Sequence, residues 1–176
     1  MDRPTHYTGA ARLLHWAMAL LLFAMLLAGL TLVRSLEPWQ PTLLLLHKSF
    51  GLLALVLAVI RLIVRLGSRT PALPGSLPSW QVWAAKSSHV ALYAAMFALP
   101  VSGYLMQNAA GRPITFFEGF TLPALIETDL ATYGLLRTLH GWFAWGFMTL
   151  IFLHIGAALQ HGLIRRDGVL RSMIGR

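Results

Sequence analysis

Four long apolar runs limit what this chain can fold into. They extend over about residues 13–33, 43–66, 88–107 and 139–161. A helix needs about 20 apolar residues to cross the ~30 Å hydrocarbon core of a bilayer, so each run has the length of one span. Inside a bilayer the backbone polar groups have to be satisfied within the chain, which favours helices. The sequence therefore predicts an all-α integral membrane bundle of four helices.

The low charge of the chain excludes an ordinary soluble domain. Of 176 residues, 57% are hydrophobic and 11% are charged, and the mean hydropathy is +0.66. About a quarter of the residues in a typical soluble domain are charged. The absence of cysteine excludes disulfides and thiolate metal sites. We expect one membrane domain over residues 1–176, with the first run retained because it lacks a signal-peptide cleavage site.

The basic residues lie mainly on one side of the predicted spans. That side carries Arg3, Arg12, Arg61, Arg65, Arg69, Lys86, Arg165, Arg166, Arg171 and Arg176 against Asp2 and Asp167, a net charge of +8. The other side carries Arg34, Lys48, Arg112 and Arg137 against Glu37, Glu118, Glu127 and Asp129, a net charge of zero. Since cytoplasmic loops are enriched in Lys and Arg, we predict that both termini are cytoplasmic. Topology explains the positive charge without a nucleic acid partner.

Histidines recur at the ends of the runs. His140 and His154 are fourteen residues apart, which on a helix is about 40° short of four full turns and a rise of ~21 Å. They therefore share one face at two depths, where polar side chains in a membrane tend to mark function. The same spacing joins a histidine to a glycine or an arginine in the other runs: His15 to Gly29, His47 to Arg61, and His89 to Gly103.

Two levels of histidines follow from this spacing. The outer level has His47 and His140, and the inner level has His15, His89 and His154. Haem iron takes an axial ligand on each face of its ring, and imidazole is a common one. Because no Cys-x-x-Cys-His motif is present, we predict two non-covalently held b haems, one at each level. The spacing does not determine which two of the three inner histidines bind the inner haem.

Several of these residues also have simpler explanations. A single histidine at the end of a span is usually an interfacial or packing residue, and glycines in membrane helices often serve packing. Arg61 suits a haem propionate, but it would equally suit a basic anchor that extends to the membrane surface. A metal transporter is a further alternative. It predicts carboxylates within the membrane, whereas all six acidic residues lie outside the runs.

Nearly the whole chain resembles bacterial cytochrome b561. The likeness rests on "RLLHW", "LHKSFGLLALVLAVIRLIVRL", "SSHVALYAAMFALPVSGYLM", "LHGWFAWGFMTLIFLHIGAALQH" and "RRDGVLRSMI". The resemblance implies a four-helix bundle of the bacterial inner membrane that holds two b haems. It also implies the axial ligands: His15 and His154 at the inner haem, and His47 and His140 at the outer haem.

The resemblance further implies a function. Well-understood members of the family oxidise superoxide at the outer face and reduce ubiquinone near the inner haem. His89 and His161 match the histidines beside the quinone, where a group that exchanges protons is needed. Lys86 is a further candidate contact.

Two observations leave room for an electron donor other than superoxide. Related cytochrome b subunits serve instead as membrane anchors for hydrogenases or dehydrogenases, so a soluble redox protein is the alternative donor. Steering of a small anion such as superoxide would favour a positive outer surface, whereas the outer loops sum to zero.

Overall fold

Four long helices make up most of the computed structural model, which describes residues 4–34, 37–117 and 119–175. They are α1 (Gly9–Leu32), α2 (Gln40–Gly67), α3 (Ser79–Ala109) and α4 (Leu130–Leu159). Each is long and apolar enough to cross a membrane. Close backbone packing joins α1 to α2, α2 to α3, and α3 to α4. The predicted all-α membrane bundle is confirmed.

Four residues of the charge comparison, Asp2, Arg3, Glu118 and Arg176, lie outside the described residues.

All four helices begin before the apolar runs that predicted them, α1 and α2 by four and three residues and α3 and α4 by nine. Helix α3 begins at Ser79 rather than at Ser88, and α4 begins at Leu130 rather than at Leu139. The added turns carry polar and aromatic residues that interrupt the apolar pattern without preventing a helix. Asp129 caps α4, since its carboxylate accepts the Thr132 backbone N–H at 2.7 Å. Hydrogen bonds from the side chain and the backbone of Thr132 hold the pKa of Asp129 below its usual value.

The loop between α3 and α4 is correspondingly shorter than predicted, and it covers the outer end of α2. It contains an antiparallel hairpin of β1 (Thr115–Phe116) and β2 (Phe120–Thr121). At the turn, Phe117 donates its backbone N–H to the buried hydroxyl of Ser49 at 3.1 Å, and its ring lies 5.3 Å from that of Phe50. The loop therefore packs back against the bundle, as its aromatic residues predicted.

The centre of the bundle is a small apolar core between the two histidine levels. Each long helix contributes one buried residue, namely Met18, Ala58, Met96 and Phe147. Phe147 is 2% exposed, and it lies halfway along α4 between His140 and His154. Most other apolar side chains remain exposed, which suits a helix surface in lipid.

Both ends of the described chain meet on the same side of the bundle. A π-helical turn (Gln160–Arg165) follows α4, and the chain then reverses through Arg166 and Gly168, both with positive φ. The short helix α5 (Val169–Ile174) returns to α1, where the Tyr7 N–H donates to the Ser172 carbonyl at 3.1 Å. This arrangement places both ends on one side, and the assignment of that side to the cytoplasm remains a prediction.

Replacing Phe147 by Ala should destabilise the bundle, because it leaves a cavity in the core. The expected loss is about 3 kcal/mol, measured as a lower midpoint of thermal unfolding in detergent. Phe152→Ala on the same helix is the matched control, since Phe152 is 62% exposed. Equal effects of the two replacements would contradict this description of the core.

Candidate functional site

The outer histidines face each other across the bundle. The ring centroids of His47 on α2 and His140 on α4 are 6.5 Å apart, with the ring planes at 75°. The Ser102 hydroxyl lies 3.0 Å from His140 Nδ1 and also donates to the Leu99 carbonyl at 2.9 Å. Because a hydroxyl has one proton and a carbonyl only accepts, His140 Nδ1 is the donor to Ser102. The Nε2 atom of His140 is then unprotonated and available as a ligand.

A glycine on the neighbouring helix lies beside each outer histidine. A Cβ atom added at Gly103 would lie 3.2 Å from His140 Cε1, and one added at Gly29 would lie 3.5 Å from His47 Cε1. Helix α3 thus approaches His140 closely, while α1 approaches His47 at ordinary contact distance. The sequence spacing had placed both glycines at the outer level, and the structure brings them there.

The inner level brings all three predicted histidines together. His154 on α4 lies between His15 on α1 and His89 on α3, with ring centroids at 6.2 Å and 5.6 Å. Arg61 on α2 completes the group, since its Nη2 lies 3.0 Å from His15 Nδ1. The guanidinium carbon of Arg61 also lies 5.9 Å from the centre of the Tyr93 ring.

These distances fit two imidazoles on opposite sides of one metal ion. With metal–nitrogen bonds of about 2 Å, two such rings have centroids about 6 Å apart. The outer pair at 6.5 Å and the pair of His15 and His154 at 6.2 Å are both close to this value. The pair of His89 and His154 at 5.6 Å is slightly short. Each level therefore brings together imidazoles that could hold the iron of a haem, and these distances do not choose between His15 and His89 as the partner of His154.

Arg61 fits the carboxylate edge of such a ring. Its Nε and Nη1 atoms are buried and have no hydrogen-bond partner among the described residues. A guanidinium only donates, and a buried charged donor without an acceptor is costly. The hydrogen bond to His15 also requires that Nδ1 of that ring be unprotonated, which leaves the proton on Nε2. Coordination through His15 Nε2 would therefore require that Arg61 turn to another acceptor.

His161 lies apart from the three inner histidines. It follows His154 by seven residues, two turns and about 10 Å along the helix, and it stands in the π-helical turn. Its Nδ1 is 2.5 Å from Asp167 Oδ2, and both side chains are 16% exposed. Burial raises the pKa of Asp167, but hydrogen bonds from His161 and from the Val169 backbone lower it more, so the net shift is downward.

Three contacting residues were not predicted from the sequence. Ser102 and Tyr93 stand one residue before Gly103 and one turn after His89, so their positions on α3 were the available signal. Asp167 was assigned only to the charge balance, and its link to His161 depends on the chain reversal. The Nζ atom of Lys86, a candidate quinone contact, lies 5.7 Å from the centre of the Trp83 ring.

A four-helix membrane bundle with histidine pairs at two depths has the plan of a membrane cytochrome b. The model of the prokaryotic cytochrome b561 family matches residues 6–176, and the chain belongs to this family. It is thus a multi-pass membrane electron-transfer protein of a family that binds b-type haem.

Three curated relatives cover most of the chain. Cytochrome b561 homolog 2 of Escherichia coli K12 is 35% identical over 99% of this chain and 94% of its own length. Cytochrome b561 homolog 1 of the same strain is 31% identical over 93% of both chains. A protein of Yersinia pestis named probable superoxide oxidase CybB is 28% identical over 80% of this chain and 78% of its own.

The two outer glycines should differ in their tolerance of a methyl group. Gly103→Ala should lower the haem retained after purification more than Gly29→Ala, because the added carbon forces His140 to move while His47 keeps an ordinary contact. Haem absorbance per protein measures the effect. Gly146→Ala is the control, since an added Cβ there meets nothing within 4 Å. A greater loss from Gly29→Ala would contradict the described geometry.

Proposed function

We propose that this protein is a diheme b-type cytochrome that accepts electrons from superoxide at its outer face and delivers them to ubiquinone near the inner histidines. The observation that carries the proposal is the pairing of histidines at two depths. His47 faces His140 at 6.5 Å, and His15 faces His154 at 6.2 Å. One pair near each side of the membrane suits the relay of electrons across it.

Each histidine pair is proposed to hold one haem, which when bound supplies one-electron transfer at its level. His47 and His140 would be the outer axial ligands, and the Ser102 hydrogen bond would keep His140 Nε2 directed to the iron. His15 and His154 would be the inner ligands. Arg61 would pair with a propionate through its buried Nε and Nη1 atoms.

His89 is then available to interact with the proposed electron acceptor, ubiquinone. It lies beside His154 without being needed as a ligand, so it can exchange a proton with a bound quinone. Reduction of ubiquinone to ubiquinol takes two electrons and two protons, while two superoxide anions give up one electron each and become two dioxygen molecules. His161, paired with Asp167, is the second proposed proton carrier at the inner end.

Two observations support superoxide as the donor. One relative, at 28% identity, is named a probable superoxide oxidase. In addition, Lys48 and Arg137 lie next to the outer pair in sequence, one residue after His47 and three before His140. In the part of the chain that the structure describes, neither forms an ion pair. Both charges are therefore available to attract a small anion, although the outer side sums to zero.

Replacing single histidines should separate ligands from neighbours. Purified protein is expected to carry two haems per chain, with low-spin six-coordinate spectra. His140→Ala should remove the outer haem and His15→Ala the inner one, each leaving the other in place. His89→Ala should keep both haems and slow quinone reduction.

Extracted haem quantified against protein, together with the visible spectrum, measures these outcomes. One haem or none in the unaltered protein would reject the two-site proposal. Loss of the inner haem in His89→Ala, with retention in His15→Ala, would show that His89 is the inner ligand and His15 is not.

If superoxide is the donor, nearby charge should control its rate. Lys48→Glu and Arg137→Glu should slow haem reduction by a superoxide pulse, leave the haem bands unchanged, and weaken the dependence on ionic strength. Stopped-flow absorbance at two salt concentrations measures this. Arg165→Glu is the control, because it makes the same charge change at the inner end.

A slow, salt-independent reaction in the unaltered protein would reject superoxide. Co-purification of a soluble redox protein would then favour the membrane anchor as the function.

A further inference from the structure

Trp16 is anchored differently from an ordinary interfacial tryptophan. Such a residue directs its indole N–H to water or lipid headgroups. Trp16 instead donates its Nε1–H to the Met173 carbonyl at 3.3 Å, across 157 positions of sequence. Its ring also lies 5.2 Å from the His15 ring, edge to face at 78°. One side chain thus connects α5 to a histidine of the inner level.

The end of α5 is fully capped, mainly by the first part of α1 and the segment before it. The last four carbonyls of any helix lack partners within the helix. In α5 the Arg171 carbonyl accepts from the Gly175 N–H at 2.8 Å, and the Ser172 carbonyl accepts from the Tyr7 N–H at 3.1 Å. Arg12 donates to the Ile174 carbonyl at 3.4 Å. With Trp16 on Met173, all four are satisfied.

Helix α5 has few internal means of stability. It has six residues, and helices this short are marginal without tertiary contacts. Leu170 packs against Gly162, where a side chain would collide with it. Asp167 joins the start of α5 to the π-helical turn, because one oxygen accepts from Val169 N–H and the other contacts His161. The docking of α5 therefore depends on these contacts and on the carbonyl cap.

We propose that α5 orients the His15 imidazole through Trp16 and is thereby a positioning element of the inner site. The inference rests on the proposed function, in which His15 is an axial ligand. Groups that touch an axial ligand fix its ring plane and tune the metal. When His15 coordinates through Nε2, Arg61 gives up its hydrogen bond to Nδ1, and the Trp16 ring remains against the imidazole. Release of the indole then removes a contact that constrains the plane of the imidazole.

The direct test compares two tryptophans at the inner end. Trp16→Leu should shift the low-field electron paramagnetic resonance of the inner haem and leave the outer signal in place. Trp16→Phe, which keeps an aromatic ring but loses the N–H, should shift the same signal less. Trp80→Leu is the matched control, since Trp80 is 67% exposed and has no described partner. An unmoved inner signal in Trp16→Leu would overturn the inference.

A second variant perturbs α5 far from His15 and without a change of charge. Gly175 has a φ of +89°, and an added Cβ would collide with the Arg12 guanidinium. Gly175→Ala should therefore loosen the cap and shift the inner signal in the same direction as Trp16→Leu. Gly67→Ala is its control, because an added Cβ there meets nothing within 4 Å. The inference is overturned if Gly175→Ala leaves the inner signal unmoved although the cap is loosened.

Tryptic cleavage after Arg171, followed on the full chain in detergent, reports the loosening independently of haem. It should accelerate several-fold in Trp16→Leu and in Gly175→Ala. Unchanged cleavage in both would also overturn the proposed role of α5.

The haem count keeps this inference separate from the proposed function. Fewer than two haems in the unaltered protein would reject the diheme proposal before any variant is compared. Two haems with an inner signal insensitive to Trp16 would reject only the positioning role.

Discussion

The spacing of residues along α4 sets the depth of both histidine levels. Seven residues are close to two helical turns, so His140, Phe147 and His154 lie nearly along one line of α4. The other helices supply a partner to each position on that line. Helix α2 brings His47 to the outer end, α1 and α3 bring His15 and His89 to the inner end, and the core residues meet Phe147 between them. The depth of each candidate site is therefore set by one helix.

The two levels differ in the polar groups that hold their histidines. At the outer level a neutral hydroxyl accepts from His140 and leaves its Nε2 ready to bind. At the inner level a guanidinium donates to His15, so that the ring has its proton on the opposite nitrogen. To bind a metal, the outer pair would need no rearrangement in its described hydrogen bonds, whereas His15 would bind through Nε2 only if Arg61 changed partner. The histidine rings are separated by similar distances at the two levels, but different polar groups contact them.

Periodicity and hydropathy predicted the spans, the two levels and their histidines. They could do so because the position of a residue along a membrane-spanning helix determines its depth in the bilayer. They did not predict where α3 and α4 begin, since those turns lie outside the apolar runs and depend on local capping by Asp129. The inner level remained ambiguous for a different reason. Depth alone cannot tell which of three histidines faces which, and only the rotation of α1 and α3 about their axes decides it. The contact of His161 with Asp167 requires a backbone reversal with positive φ at Arg166, which periodicity does not predict.

Helix α5 also has a mechanical consequence for the bundle. Backbone packing joins the four long helices in series, and among the described residues it is far weaker between α1 and α4. The bundle is therefore an incomplete ring with a seam between its first and last members. The hydrogen bonds of α5 to Tyr7, Arg12 and Trp16 close that seam at one end only. Among the described residues, no hydrogen bond joins α1 to α4 farther along the seam, so hydrogen bonds hold these two helices together only at the end where the first and last described residues meet.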